Sequence, residues 1–198
     1  MQLLLSEIAD IRMGLTLRGA DAARRTVEGG PHYVRISDLT ESGDLHIAEI
    51  HPLDPGQASD PRHRVKPGDI LLANRGTRMT AALVPEGLDA VAGSQLFVIS
   101  PRLPGILPSY LHTFLNLQTT QDHLRSHARG TYVQTLSIAN LRKLPVPLPP
   151  LETQEIVASL SELVTVERQL LEKLTRKRAK LIEAALNNLL SSTPNIIS

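Results

Sequence analysis

The sequence predicts an α+β fold, strand-rich at first and closed by one long α-helix, and three observations carry that expectation. Short aliphatic and β-branched runs between Gly, Pro, Asp and Asn clusters occupy residues 32–100. Helical spacing of apolar residues replaces them over residues 109–126. From residue 151 to residue 190 the chain then has neither proline nor glycine. Strands first and helices later favour α+β over alternating βαβ units.

Residues 32–36, 45–50, 69–73 and 96–100 read as strands. Residues 109–117 place Leu111, Phe114 and Leu115 at helical spacing, and residues 120–126 do the same with His123 and Leu124. A third, short helical turn starts at Ser137, a good N-cap, and faces Leu141 inward. Proline fixes φ and lacks an N–H, so Pro145, Pro147 and Pro149 leave only an edge strand or extended segment. Pro150 suits a first helical turn, where the missing donor costs nothing. The expected division is a domain over residues 1–150, a spacer helix over 151–190 and a flexible tail over 191–198.

At 1.5 Å per residue the final helix is a rod roughly 60 Å long, too long for a domain of this size to bury. It needs a partner. Val157, Leu160, Val164, Leu171, Leu174, Leu181 and Ala185 form a near-heptad stripe, widened by Ile156, Leu163, Leu170 and Ala184. Glu167 and Arg178 interrupt it. Either these opposite charges meet across the seam of an antiparallel pair, or both snorkel from an ordinary packed helix. The basic run Arg176-Lys177-Arg178-Ala179-Lys180 is a solvated face, or touches phosphates if the rod lies along DNA.

Composition narrows the function. The chain has 198 residues, 41% hydrophobic, enough for one domain of about 150 residues with a real core. A net charge of +1 announces no polyanion partner by itself. Zero cysteines exclude disulfides and thiolate metal sites, and no apolar run approaches the roughly 18 residues of a membrane span. The start, Met1-Gln2-Leu3-Leu4-Leu5-Ser6-Glu7, lacks the basic flank of a signal peptide, so a soluble, cytoplasmic protein is expected. The phosphate loop, the dinucleotide glycine fingerprint, the nucleophile elbow and the His-Glu-x-x-His motif are all missing. His123 and His127 are four apart but have no nearby carboxylate except Asp122, so a surface or base-contacting pair is favoured over a metal site. No catalytic set, metal or resident cofactor is expected.

What remains is a set of basic, hydrogen-bonding loops. In Arg75-Gly76-Thr77-Arg78 two guanidinium forks flank a glycine that lets the backbone approach a phosphate or base edge. His127, Arg129, Thr131, Tyr132 and Gln134 form a second cluster. Arg24, Arg25, Arg35, Arg62, Arg64 and Lys66 are placed to hold a duplex backbone and set its register. Each arginine alone is as readily an ordinary surface cation paired to one of 20 acids; the collection favours DNA.

The ordered series Val65-Lys66-Pro67-Gly68-Asp69-Ile70-Leu71-Leu72, Gly93-Ser94-Gln95-Leu96-Phe97-Val98-Ile99, Gly130-Thr131-Tyr132-Val133-Gln134-Thr135-Leu136-Ser137 and Pro147-Leu148-Pro149-Pro150-Leu151-Glu152-Thr153-Gln154 resembles a specificity subunit of a type I restriction-modification system. The resemblance implies a target recognition domain followed by a helix that pairs as an antiparallel coiled coil. It also implies double-stranded DNA as ligand and modification subunits carrying S-adenosylmethionine chemistry, with or without a restriction or translocase subunit. Family subunits repeat the domain-plus-helix unit, whereas this sequence holds one Pro-Leu-Pro-Pro-Leu and no internal duplication. The initial Met and the tail Ser191-Ser192-Thr193-Pro194 suggest a complete half-subunit that self-pairs through Val157, Leu160, Val164, Glu167, Leu171, Leu174, Arg178, Leu181 and Ala185. Such a homodimer reads an interrupted inverted repeat with half-sites about one helical turn, roughly 34 Å, apart. The alternative from another class is a coiled-coil scaffold or decoy that binds modification subunits without reading DNA.

Overall fold

The computed structural model describes residues 2–17, 30–40, 42–46, 51–52, 60–130 and 133–191. Its order is β1 (Gln2–Leu4), α1 (Leu5–Ile8), β2 (Ala9–Met13), β3 (His32–Val34), β4 (His51–Pro52), β5 (Ile70–Ala73), β6 (Ala81–Leu83), β7 (Ala90–Ala92), β8 (Leu96–Pro101), α2 (Pro108–Asn116), α3 (Gln118–Ser126), α4 (Ile138–Arg142), β9 (Pro145–Pro147) and α5 (Leu151–Ser191). Short 3-10 turns at Ile36–Asp38 and Pro61–His63 complete it. The mixed, strand-rich domain and the long terminal helix are those the sequence predicts.

A four-stranded antiparallel sheet in the order β2-β8-β5-β6 forms the centre. Alternation of side chains along a strand means that a sheet covered on both faces is apolar throughout. Accordingly Ile70, Leu72, Phe97 and Ile99 enter one core with Leu5, Ile8, Leu111, Leu115 and Leu124, while Leu71, Leu96 and Val98 enter a second with Val34, Val65, Ala90 and Ala92. The second core is closed by a small sheet, β4-β3-β7, in which β3 runs parallel to β7.

The three predicted helices form, with small shifts of boundary. α2 starts at Pro108, whose missing N–H is harmless in a first turn. Ser137 caps α4 by accepting the Asn140 N–H at 3.1 Å, and Leu141 is buried as expected. Of the expected strand over 45–50, Leu45 makes one bridge to Leu39, and residues 47–50 lie outside the described residues. Strands β1, β2, β4, β6 and β7 and helix α1 are elements the sequence does not predict; β6 and β7 are alanine-rich, and alanine is depleted in strands.

The proline stretch becomes β9, paired antiparallel with β1 so that Leu3 faces Val146. Prolines at alternate positions project their missing donors to the same edge, which a two-stranded ribbon tolerates. The residue that fixes the exit into α5 is Gln154, which is fully buried. Its Oε1 accepts the Leu107 N–H at 2.9 Å, and its Nε2 donates to the carbonyls of Gly105 at 2.8 Å and Pro149 at 2.9 Å. The chain divides into two compact units, Met1–Ala158 and Ser159–Ser198. Val157, in the first unit, packs against the domain core. In the second unit Leu160, Leu163, Val164, Leu170, Leu171, Leu174, Leu181 and Ile182 are each more than half exposed. No helix among the described residues is long and apolar enough to cross a membrane.

Candidate nucleic-acid interface

The register of the central sheet separates the predicted basic residues. Because Ala73 pairs with Leu96 and Phe97 with Met13, the chain beyond β5 and the turn before β8 meet at one end of the strands. Asn74, 6% exposed, is the knot at this end. Its N–H donates to the Gln95 carbonyl at 3.0 Å, its side-chain amide to the Ser94 carbonyl at 3.0 Å, and its own carbonyl accepts the Leu136 N–H at 2.8 Å. One asparagine thus fastens three loops that are distant in sequence.

Two neighbours extend the knot. Gly76 N–H donates to the Gln134 carbonyl at 3.0 Å, and Arg129 and Thr135 exchange both backbone bonds at 3.0 and 2.8 Å. Arg75 and Arg129 each bridge to Thr135, so the two arginines flank it, roughly 10 Å apart at two ladder spacings. Gly130 is obligatory in this turn: its φ is +124°, and a Cβ there would lie 2.2 Å from the Val133 carbonyl oxygen. The far end of the 74–80 loop is held by Gln121, 1% exposed, which accepts the Met79 N–H at 3.0 Å and donates to the Met79 carbonyl at 2.9 Å.

The backbone here is committed while the side chains are not. Arg75, Thr77, Arg129 and Gln134 are exposed, and their side chains make no hydrogen bond or ion pair among the described residues. The two clusters singled out in the sequence are therefore brought together. Thr131, Tyr132, Arg24 and Arg25 lie outside the described residues. Two members of the clusters have structural employment instead. Arg78 donates to the Asn116 carbonyl at 3.2 Å and caps the end of α2. His127 closes α3, its Nδ1 2.9 Å from the His123 carbonyl and its ring stacked on His123.

Arg35 stands beside the turn before β8. Its N–H donates to the Asp38 carboxylate at 2.6 Å, but its guanidinium makes no hydrogen bond or ion pair among the described residues. With Tyr33, Ile36, Ser37, Gly93, Ser94 and Gln95 it lines a pocket of about 280 Å³.

Arg62, Arg64 and Lys66 line a different cleft, of about 700 Å³, with Asp10, Asp69, Ser100 and Pro101, toward the opposite end of the strands. There the arginines are already neutralised. Arg62 forks onto Asp60, with Nε to Oδ2 at 2.9 Å and Nη2 to Oδ2 at 2.6 Å, and these bonds hold the Asp60 carboxyl down at about 2. Arg64 is ion-paired to Asp89, and its carbonyl accepts Arg12 Nη2 at 2.8 Å. Lys66 alone of the three keeps an uncommitted side chain. Among the described residues there is no group of three His, Cys, Asp or Glu that suits a metal ion.

Sequence reasoning missed Asn74, Ser94, Gln95 and Gln121 as organisers of this surface. Nothing local marks them, because the partners that matter lie between 6 and 62 residues away.

The described residues thus form a central antiparallel sheet with helices on one face, a buried glutamine at the root of a long helix and a rim of uncommitted arginines on tied loops. The chain belongs to the family of type I restriction modification DNA specificity domains, whose model matches residues 3–176. It is 25% identical over 156 residues to the type I restriction enzyme EcoBI specificity subunit of Escherichia coli, a match covering 76% of this chain and 33% of that protein. The fold is shared with the HsdS subunit from Thermoanaerobacter tengcongensis, at a TM-score of 0.58 and 18% identity, over 88% of this chain and 39% of that one. A type I restriction-modification structure addressing complex assembly and conformational transition gives 0.62 at 20% identity, over 96% and 43%. The S subunit from M. genitalium gives 0.55 at 15%, over 93% and 42%. The chain thus spans about a third of the curated relative and about two fifths of the solved ones.

Proposed function

We propose that this chain is a non-catalytic DNA specificity subunit that directs a type I methyltransferase or restriction complex. The observation that carries the reading is the surface around Asn74, where Arg75 and Arg129 have no side-chain partner among the described residues and stand on loops tied together by the backbone bonds of Asn74, Gly76, Arg129 and Thr135. Cations on a prefixed scaffold meet a polyanion with little ordering cost and no carboxylate to displace. The S-adenosylmethionine chemistry belongs, in this reading, to modification subunits bound alongside, with or without a restriction or translocase subunit.

The occupant proposed for the apolar face of α5 is a second copy of the chain, antiparallel to the first. Fully burying a leucine side chain contributes about 1.5–3 kcal/mol. The row from Leu160 to Ile182 therefore favours association strongly. In such a pair Glu167 and Arg178 meet across the seam and fix the register. A twofold axis then makes the target an interrupted inverted repeat. Co-expression with candidate modification subunits, with stoichiometry measured by native mass spectrometry and methylated sites mapped, tests both parts. Two copies per complex on a symmetric bipartite site are expected. An asymmetric site, or one copy per complex, removes the homodimer; methylation that ignores this chain's identity removes the specificity role and leaves the scaffold reading.

A further inference from the structure

We infer that the 280 Å³ pocket beside β3 is the base-reading element of the domain, with Arg35 and Gln95 determining specificity at adjacent base pairs. The inference rests on the DNA-reading function proposed above and names the residues that would read. Sequence alone assigns Arg35 to the duplex backbone and gives Gln95 no role.

Three uncommitted side chains meet in this pocket. The guanidinium of Arg35, the hydroxyl of Ser94 and the amide of Gln95 make no hydrogen bond among the described residues, although all three residues are partly buried. Their backbones, by contrast, are fixed. Asn74 holds the carbonyls of both Ser94 and Gln95, Gly93 N–H donates to the Val34 carbonyl at 2.8 Å, and Leu96 N–H closes the turn onto the Gly93 carbonyl at 2.9 Å. Gly93 packs so tightly that a Cβ would stand 2.8 Å from the Tyr33 hydroxyl. That hydroxyl donates to the Leu15 carbonyl at 3.1 Å and is also hydrogen-bonded to the Ser94 backbone, leaving the Tyr33 ring and Ile36 as apolar wall.

The chemistry selects a base edge over a phosphate or a cofactor. At about 280 Å³ the pocket sits at the small end of the roughly 300–1,000 Å³ range of ligand sites, so the lining chemistry decides what it takes. A single cation accompanied by an amide, which offers both a donor and an acceptor, matches the mixed pattern of base edges better than an all-acceptor phosphate. Asp38, 5% exposed, accepts from the Arg35 N–H and Ser37 Oγ, so a carboxylate bonded to two lining residues disfavours a further anion in the pocket. Arginine pairs with guanine O6 and N7, and glutamine with adenine N6 and N7, so neighbouring Arg and Gln suit a step containing one of each.

The test is target selection from a random DNA pool by the complex of this chain with its modification subunits, for the unaltered chain and for Gln95→Met, Gln95→Glu and Arg35→Lys. The pocket predicts that Gln95→Met relaxes one A·T position by about 5- to 150-fold with the rest of the site unchanged. Gln95→Glu should shift the same position toward cytosine, which keeps the test open if the methionine variant fails to fold. Arg35→Lys should relax an adjacent G·C position while preserving the salt dependence of binding. A uniform loss across all sequences makes the pocket a phosphate contact and overturns the inference, as does an unaltered site in all three variants. If the unaltered complex selects no sequence, the DNA-reading function itself falls, an outcome distinct from either.

Discussion

The two ends of the central sheet hold arginines in opposite ways. At the Asn74 end, backbone groups are consumed in tying loops together and the side chains of Arg75 and Arg129 are left over. At the other end, Arg62 and Arg64 are consumed by Asp60 and Asp89. The same residue type is thus a free charge in one place and half of a neutral pair in the other. Counting arginines therefore says little about where a polyanion binds; what matters is which carboxylates the fold has already supplied.

The largest effect expected is on DNA affinity. The double substitution Arg75→Gln with Arg129→Gln should weaken binding by about 10²- to 10⁴-fold, because hydrogen bonds to charged groups contribute about 1.5–3 kcal/mol each, and should reduce the salt slope by about 2. Asp60→Asn with Arg62→Gln removes a pair without altering net charge, and affinity should stay within about twofold. Fluorescence anisotropy across a salt series compares the two. Equal losses from both double variants would sink the contrast between the ends.

Next in size is the scaffold. Asn74→Ala leaves the Ser94 carbonyl without its donor in a nearly closed site, at a cost of about 1–3 kcal/mol in denaturant unfolding. Amide exchange should quicken at Leu136 and in the turn at residues 93–95 before it quickens elsewhere. If Asn74→Ala destabilises the domain without loosening those segments, the asparagine is a generic core residue and does not organise the reading surface.

How much of this was legible in the chain depends on the range of the interactions. Helices α2, α3 and α4 announce themselves through local periodicity and a serine cap, and β5 and β8 through apolar runs. Strands β6 and β7 do not, because Ala81, Ala82, Ala90 and Ala92 are chosen by tight packing at zero exposure and not by strand propensity. The Arg75 loop and the 126–134 segment were each visible as basic turns, and the bridge through Thr135 is what unites them. Asn74 and Gln95 were invisible as site residues, since an asparagine after a strand is ordinary turn chemistry until its partners are known. Conversely Arg62 and Arg64 read as DNA contacts because Asp60 and Asp89 do not reveal from sequence that they face them.

The free end depends on α2 as well. Ala81, the first residue after the 74–80 loop, exchanges bonds with Asn116, and His112 Nε2 lies 3.1 Å from the Ala81 carbonyl and 3.2 Å from that of Gly43. Burial lowers the His112 pKa, so folding favours the neutral ring, against the hydrogen bonds that oppose it. Above the ordinary histidine pKa, about 6.5, both folded and unfolded chains hold it neutral and the full stability is present. As the pH falls below that value the unfolded chain takes up the proton first, and stability declines until the folded-state pKa is passed. Denaturation midpoints between pH 7.5 and 5 should fall for the unaltered chain and flatten for His112→Asn. An unchanged slope would mean that His112 is not held neutral.

The smallest effect belongs to the paired end and decides whether the pairing exists in solution. Arg62 is almost fully exposed and Asp60 partly so, and what lowers the Asp60 pKa to about 2 is the fork of Arg62, first through side-chain hydrogen bonds and then through its N–H. Because the group is open to solvent, the pair should add little to stability, and Arg62→Gln should leave the unfolding midpoint unmoved. The carboxyl itself should respond: carbon-detected NMR titration should place it near 2 in the unaltered chain and nearer the ordinary aspartate value of about 4 in Arg62→Gln. If Asp60 already titrates near 4 with Arg62 in place, the fork is open most of the time. Arg62 then joins Arg75 and Arg129 among the available cations, and the difference between the two ends reduces to how firmly each backbone is tied.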